Sequence, residues 1–215
     1  MGLGCGTPLA MAALQPGETV VDLGSGGGLD CFLAAAKVGP EGRVIGVDMT
    51  PEMISRARKA AADAGDDHVE FRLGEIEHLP VADGVVDVIL SNCVINLSPD
   101  KQRVYDECYR VLKPGGRIAF SDVVEIRPMS EEMRADALLT SCCVGGARTP
   151  DALASMLAAA GFEGVEVKVK EESRAFIEHW VPGSRAEDYV ASAEIRARKP
   201  TDPDASPPER TRCCG

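Results

Sequence analysis

The chain has 215 residues, 45% of them hydrophobic and 4% aromatic, with a net charge of −11 and eight cysteines. That length suits one domain with a sizeable core. No apolar run reaches the ~18 residues of a membrane span and no charged-then-apolar leader opens the chain, so a cytoplasmic protein away from the membrane is expected. The acidic balance argues against nucleic acid as a partner, because phosphate backbones are bound by basic surfaces. In a reducing compartment the cysteines read as soft-ligand or redox residues rather than a disulfide framework.

In chain order, residues 19–23 read as a first strand. Its continuation, Val20-Val21-Asp22-Leu23-Gly24-Ser25-Gly26-Gly27-Gly28, delivers a glycine turn to a helix over 29–38. Such a turn suits a nucleotide-like ligand. The dinucleotide fingerprint wants its third glycine at position 29, where this chain has Leu29. A second strand over 44–47 ends at Asp48, a carboxylate that can accept both ribose hydroxyls. Thr50 and Pro51 open a helix that runs to about position 64. After a strand over 69–73, Glu75 and Ile76 can meet an adenine, the carboxylate at its exocyclic amine and the apolar side chain on its face. The bland reading of that loop is a solvated turn, in which His78 is exposed.

A strand over 85–90 carries Asp87 and leads into Asn92 and Cys93. A helix over 99–112 stops at Lys113-Pro114-Gly115-Gly116, read as a turn, before a strand over 117–121. Residues 129–141 and 150–160 are helical in pattern, and 164–169 and 189–198 are the last strands. Residues 1–199 read as one domain. The tail, 200–215, reads as disordered and ends in Cys213-Cys214-Gly215. The alternation predicts an α/β fold, a mostly parallel seven-stranded sheet with helices on both faces. Ligands bind beyond the carboxyl ends of such strands. Residues 24–31, residues 91–97 and the segment after Asp122 are therefore expected to face one crevice.

The cysteines gain meaning from that topology. Cys31 lies in the first turn of a helix, whose positive end favours a thiolate. Cys93 follows the fourth strand, and Cys142-Cys143 lies beyond the fifth. Cys31, Cys93 and Cys143 would then converge on one soft, trigonal site. Trivalent arsenic suits such a site, since it takes three sulfurs and keeps a lone pair. Taken singly, each thiol is as readily a packed core residue, and Cys108 within its helix reads that way. Zinc is the competing centre, but the chain has no Cys-x-x-Cys pair.

The Asp-x-Gly-x-Gly-x-Gly loop resembles the first motif of S-adenosylmethionine-dependent methyltransferases. More specifically, the chain resembles the arsenite methyltransferase family. The matching segments are Gly4-Cys5-Gly6, Asp22-Leu-Gly-Ser-Gly-Gly-Gly-Leu-Asp-Cys31, Gly46-Val-Asp-Met-Thr50, Ser91-Asn-Cys-Val-Ile-Asn-Leu97 and Cys143-Val-Gly-Gly-Ala147. The resemblance implies a Rossmann-like class I methyltransferase fold. It implies an S-adenosylmethionine site at Asp22, Gly24, Ser25, Gly26, Gly28, Asp48, Met49, Glu75, Ile76 and Asn92. It also implies that Cys93 and Cys143 bind As(III), from arsenite or its thiol conjugates. Cys31 would join in binding, or in redox chemistry with Cys5. A disulfide formed during turnover would return arsenic to the trivalent state, and thioredoxin or glutathione would reduce the enzyme. Cys142 has no assigned counterpart.

Two other functions fit the residues less well. A methyltransferase of an organic small molecule would want an aromatic pocket, and Trp180 is the single tryptophan. A non-catalytic metalloid-binding protein would not need the glycine loop and Asp48.

Overall fold

The computed structural model describes residues 8–201. Seven strands form one sheet: β1 (Thr19–Leu23), β2 (Arg43–Asp48), β3 (Val69–Leu73), β4 (Val86–Asn92), β5 (Leu112–Glu125), β6 (Glu163–Lys170) and β7 (Val190–Arg198). Their spatial order is β3-β2-β1-β4-β5-β7-β6. The first five run parallel. β7 lies antiparallel between β5 and β6. The order reverses between β1 and β4, where an open α/β sheet forms its binding crevice.

Local chemistry explains most element ends. α1 (Pro8–Ala12) precedes the sheet. α2 (Leu29–Val38) starts after Gly28, which is left-handed at φ 91°. α3 (Pro51–Ala64) has Pro51 in its first turn and stops at left-handed Gly65. α4 (Lys101–Val111) is capped by Asp100, whose carboxylate accepts from the Arg103 N–H. α5 (Glu131–Ala135) and α6 (Ala137–Ser141) follow β5, and α7 (Pro150–Ala159) is capped by the Thr149 hydroxyl. A short helix, α8 (Arg174–Ile177), precedes β7.

Two expectations need correction. Residues 113–116 are not a turn before the fifth strand but part of β5, which pairs with β4 at Leu112 and again from Arg117. Gly115, left-handed at φ 79°, accommodates this bulge. Lys113 closes it by pairing with Asp87 at 2.8 Å, and the Asp87 carboxylate also accepts from the Thr19 N–H. That accounts for a carboxylate inside an apolar run. The helix expected over 129–141 is two short helices, because Asp136 leaves the helical conformation and caps the second through the Leu138 and Leu139 N–H groups.

Two apolar clusters flank the sheet. One joins Leu23, Ile89, Tyr105, Phe120, Leu157 and Ile195 among others. The other joins Val20, Cys31, Val44, Ile54, Phe71 and Leu90 among others. A third cluster, beyond the ends of β4 and β5, contains Cys93, Cys142, Cys143, Val144, Ile177 and Val190.

Candidate active site

The glycine turn sits where β1 ends. Asp22, the last buried carboxylate of β1, lies level with Gly46 of β2 and Leu90 of β4. Burial, then the charges of Asp30 and Asp48, push its carboxyl up to about 8. The three positive-φ glycines each have a separate reason. A Cβ at Gly24 would stand 2.6 Å from Val94, and one at Gly28 would stand 2.6 Å from Phe71. At Gly26 the φ is +51°, yet a Cβ would meet nothing within 4 Å. The backbone there borders open space.

Asp48 ends β2 and is held from two sides. One oxygen accepts the Gly26 N–H at 2.9 Å and the other accepts the Thr50 N–H at 2.8 Å. Each oxygen keeps a further lone pair. A cavity of about 660 Å³ opens beside it, lined by Gly24, Asp48, Met49, Glu75, Ile76 and Leu97 among others. Its size falls within the usual range of ligand sites, about 300–1,000 Å³. His78 is exposed at the rim, 3.4 Å from Arg103. The Ser25 hydroxyl is buried without a protein partner. Asn92 at the end of β4 donates to Asp30 at 3.4 Å.

Cys93, next to the cavity-lining Val94, meets Cys143. The Cys143 thiol donates to the Cys93 carbonyl at 2.8 Å, across fifty positions of sequence. Both residues have left-handed backbones, φ 53° and 64°, and they are two of only four such non-glycine residues among those described. Such a conformation costs about 1–3 kcal/mol and persists only where the surroundings over-determine it. Cys93 is anchored by its N–H to the Ser121 carbonyl, and Cys143 by its N–H to the Thr140 carbonyl. Burial, then the charges of Asp122 and Cys142, push the Cys143 thiol up to about 12. Cys93 is disulfide-bonded, and the thiols of Cys31, Cys108, Cys142 and Cys143 are free.

The expected convergence of three thiols is not what these residues form. Cys31 is fully buried in the cluster around Phe71, apart from Cys93 and Cys143. Its thiol donates to Asp22 at 3.3 Å. Burial and the neighbouring Asp22 carboxylate raise its pKa well above the ordinary value, so the helix end does not yield a thiolate. Low dielectric and a buried carboxylate outweigh the helix dipole, whose effect is at most about 2 kcal/mol. Among the described residues no three His, Cys, Asp or Glu side chains are arranged to hold a metal ion. Cys142 packs in the same cluster as Cys93 and Cys143. Cys108 is a core residue, as expected. Cys5, Cys213, Cys214 and all but the first two residues of the tail lie outside the described residues.

The sequence reading missed the polar layer behind the thiols. Asp122, Asn96 and Lys101 are all buried there. Asp122 is pushed up to about 6 by burial, against the hydrogen bonds from the Val123 and Asn96 N–H groups and the charge of Lys101. Burial lowers the pKa of Lys101.

A family model described as a methyltransferase domain matches residues 14–161. An arsenite methyltransferase of Halobacterium salinarum is 58% identical over 95% of this chain and 52% of its own length. The arsenite methyltransferase of Homo sapiens is 41% identical over 66% of this chain and 40% of its own. The chain thus spans about half or less of the curated relatives it matches. The crystal structure of an arsenic(III) S-adenosylmethionine methyltransferase from Chlamydomonas reinhardtii superposes with a TM-score of 0.74. It is 36% identical and is matched over 94% of this chain and 68% of its own.

Proposed function

Because the chain belongs to the arsenite methyltransferase family, we propose that it transfers a methyl group from S-adenosylmethionine to trivalent arsenic held by Cys93 and Cys143. The observation that carries this reading is the contact of the Cys143 thiol with the Cys93 carbonyl, both residues on left-handed backbone, beside a nucleoside-sized cavity.

The residues present suit the cofactor. Open space at Gly26 lets the backbone approach a ligand, and the unpartnered Ser25 hydroxyl lies in the same turn. Asp48, oriented by two backbone N–H groups, presents its remaining lone pairs to the ribose hydroxyls. Glu75 and Ile76 receive the adenine, and Met49 covers the cavity from its exposed rim. Asp22 and Asn92 complete the cofactor set assigned by resemblance. S-adenosylmethionine, when bound, supplies an electrophilic methyl group on a sulfonium centre.

The thiols need no general base. Each As–S bond that forms breaks one S–H and one As–O bond, and the thiol proton leaves with the hydroxide as water. Arsenic retains its lone pair, and the protein's contribution is to aim it, which can be worth about 7–11 kcal/mol in well-oriented cases. Cys93 must be reduced before it can take arsenic, which is where thioredoxin or glutathione enters. Cys31 and Cys5 are assigned to binding or redox turnover by resemblance, and Cys31 would have to leave its bond to Asp22 for either. No helix among the described residues is long and apolar enough to cross a membrane.

The test is to incubate the protein with labelled S-adenosylmethionine, arsenite and a thiol reductant, and to separate the arsenic species. Methylated arsenic above a no-enzyme control is the expected result. Cofactor binding without arsenic product would overturn the substrate in favour of an organic acceptor.

A further inference from the structure

The 3-10 turn Ile95–Leu97 is a wall between two sites. On one side Val94, Leu97 and Ser98 line the cavity. On the other, Asn96 is 4% exposed and faces the segments that carry the thiols. Its N–H donates to one Asp122 oxygen at 3.3 Å, and its side-chain amide donates to the other at 3.0 Å. The same amide donates to the Val123 carbonyl at 2.6 Å. The Asn96 carbonyl accepts from the Lys101 ammonium at 3.3 Å. Gly146, three residues beyond Cys143, packs against that carbonyl so closely that a Cβ would stand 1.9 Å from its oxygen.

We propose that Asn96, Asp122 and Gly146 form an interlock that sets the spacing of Cys93 and Cys143 and registers the pair against the cofactor cavity. It makes Asn96 and Gly146 positioning residues, and it rests on the arsenic-binding reading of the two thiols. Neighbouring contacts over-determine the backbone at the two cysteines. Cys93 and Cys143 each hold a costly backbone conformation, which reverts unless neighbouring contacts forbid it. Asn96 joins the three segments that could forbid it: the turn after β4, the end of β5 and the Cys143 loop. Lys101 and Asp122 carry opposite charges in a buried place, where charges are tolerated only with hydrogen bonds to satisfy them. Asn96 supplies two donors to one and an acceptor to the other. An apolar residue there keeps the backbone bonds to Asp122 and Lys101 but loses the side-chain amide's bonds to Asp122 and to the Val123 carbonyl, and any Cβ at Gly146 pushes the Cys143 loop off the wall.

The experiment compares reduced full-length wild type with Gly146→Ala, Asn96→Ala, the near-isosteric Asp122→Asn, and Cys143→Ser. Arsenite binding is read by equilibrium dialysis, the number of As–S bonds by X-ray absorption, and S-adenosylmethionine binding by calorimetry. Gly146→Ala and Asn96→Ala are expected to weaken arsenite binding at least about tenfold and to lower kcat about 10- to 100-fold, with cofactor binding within about twofold. Asp122→Asn keeps the shape and moves the same readouts less. Wild-type arsenite affinity and sulfur count in Gly146→Ala and Asn96→Ala would overturn the interlock. So would parallel loss of arsenite and cofactor binding in Asp122→Asn, which would mark the layer as general scaffold. If wild type binds no arsenite, or Cys143→Ser binds it unchanged, the parent reading fails instead.

Discussion

Most of the cavity wall comes from turns that directly follow β1, β2 and β3, each a short contiguous stretch with its own glycine or carboxylate, and the turn after β4 closes it. The thiol pair has no such local origin. Cys93 and Cys143 are fifty positions apart, sit on backbone that other residues must hold in place, and lean on a buried polar layer. The first region is a product of strand ends; the second is a product of packing. Changes in the first should act one residue at a time, whereas changes in the second should act on both thiols together.

The largest expected effect tests the second region. Cys93→Ser or Cys143→Ser should abolish As(III) methylation, measured as methylated arsenic, while the S-adenosylmethionine dissociation constant stays at its wild-type value. Persistent turnover in both would dissolve the distinction between the regions.

Next come the glycines of the first region, which should separate stability from affinity. Gly28→Ala forces a Cβ against Phe71 at 2.6 Å on left-handed backbone. It should cost roughly 1–3 kcal/mol of overpacking on top of ~1–2 for the backbone, read as a lowered denaturation midpoint. Gly26→Ala meets no protein atom within 4 Å. It should carry only the backbone cost, with a loss of cofactor affinity out of proportion to its loss of stability. Asp48→Ala removes charge-assisted hydrogen bonds and should weaken S-adenosylmethionine binding by roughly 1.5–3 kcal/mol. An unchanged dissociation constant by calorimetry would refute its ribose role.

A last effect is in the pH dependence of stability. The Asp22 carboxyl stands at about 8 in the fold, against 3.8 for the free group. Between those values the folded state binds the proton that the unfolded chain has released. This group's stabilising contribution is therefore complete below about pH 4 and is lost as pH rises through 8. Asp22→Asn should flatten that decline, seen by comparing urea midpoints at pH 5 and pH 8.5. An identical slope in both proteins would place the ionisation elsewhere.

Much of the first region was legible in the linear chain. Gly24, Gly28 and Asp48 stand next to apolar runs, and a tight turn at a strand end leaves few residue types that fit. The role of Asp87 was not legible, because its partners Lys113 and Thr19 come from other segments. Cys31 misled for the same reason. Its place in a helix's first turn favours a thiolate, but burial beside Asp22 reverses the sign. Lys101 looks in sequence like an ordinary solvated residue at a helix start, and only the fold buries it against Asn96 and Ser98. Asn96 lies inside the Ser91–Leu97 motif, so a signal was present. Its meaning depended on Gly146 and Asp122.

By itself the sequence determined the seven strands, the parallel order of the first five, the glycine turn and the carboxylate that follows it. Those are set by residue periodicity and by backbone conformations that few side chains allow, both local properties. The tertiary structure alone decided which cysteines meet, which are sealed in the core, and what holds the meeting pair. Burial, dielectric and the satisfaction of buried polar groups depend on every segment that packs around a site, and no stretch of chain carries them alone.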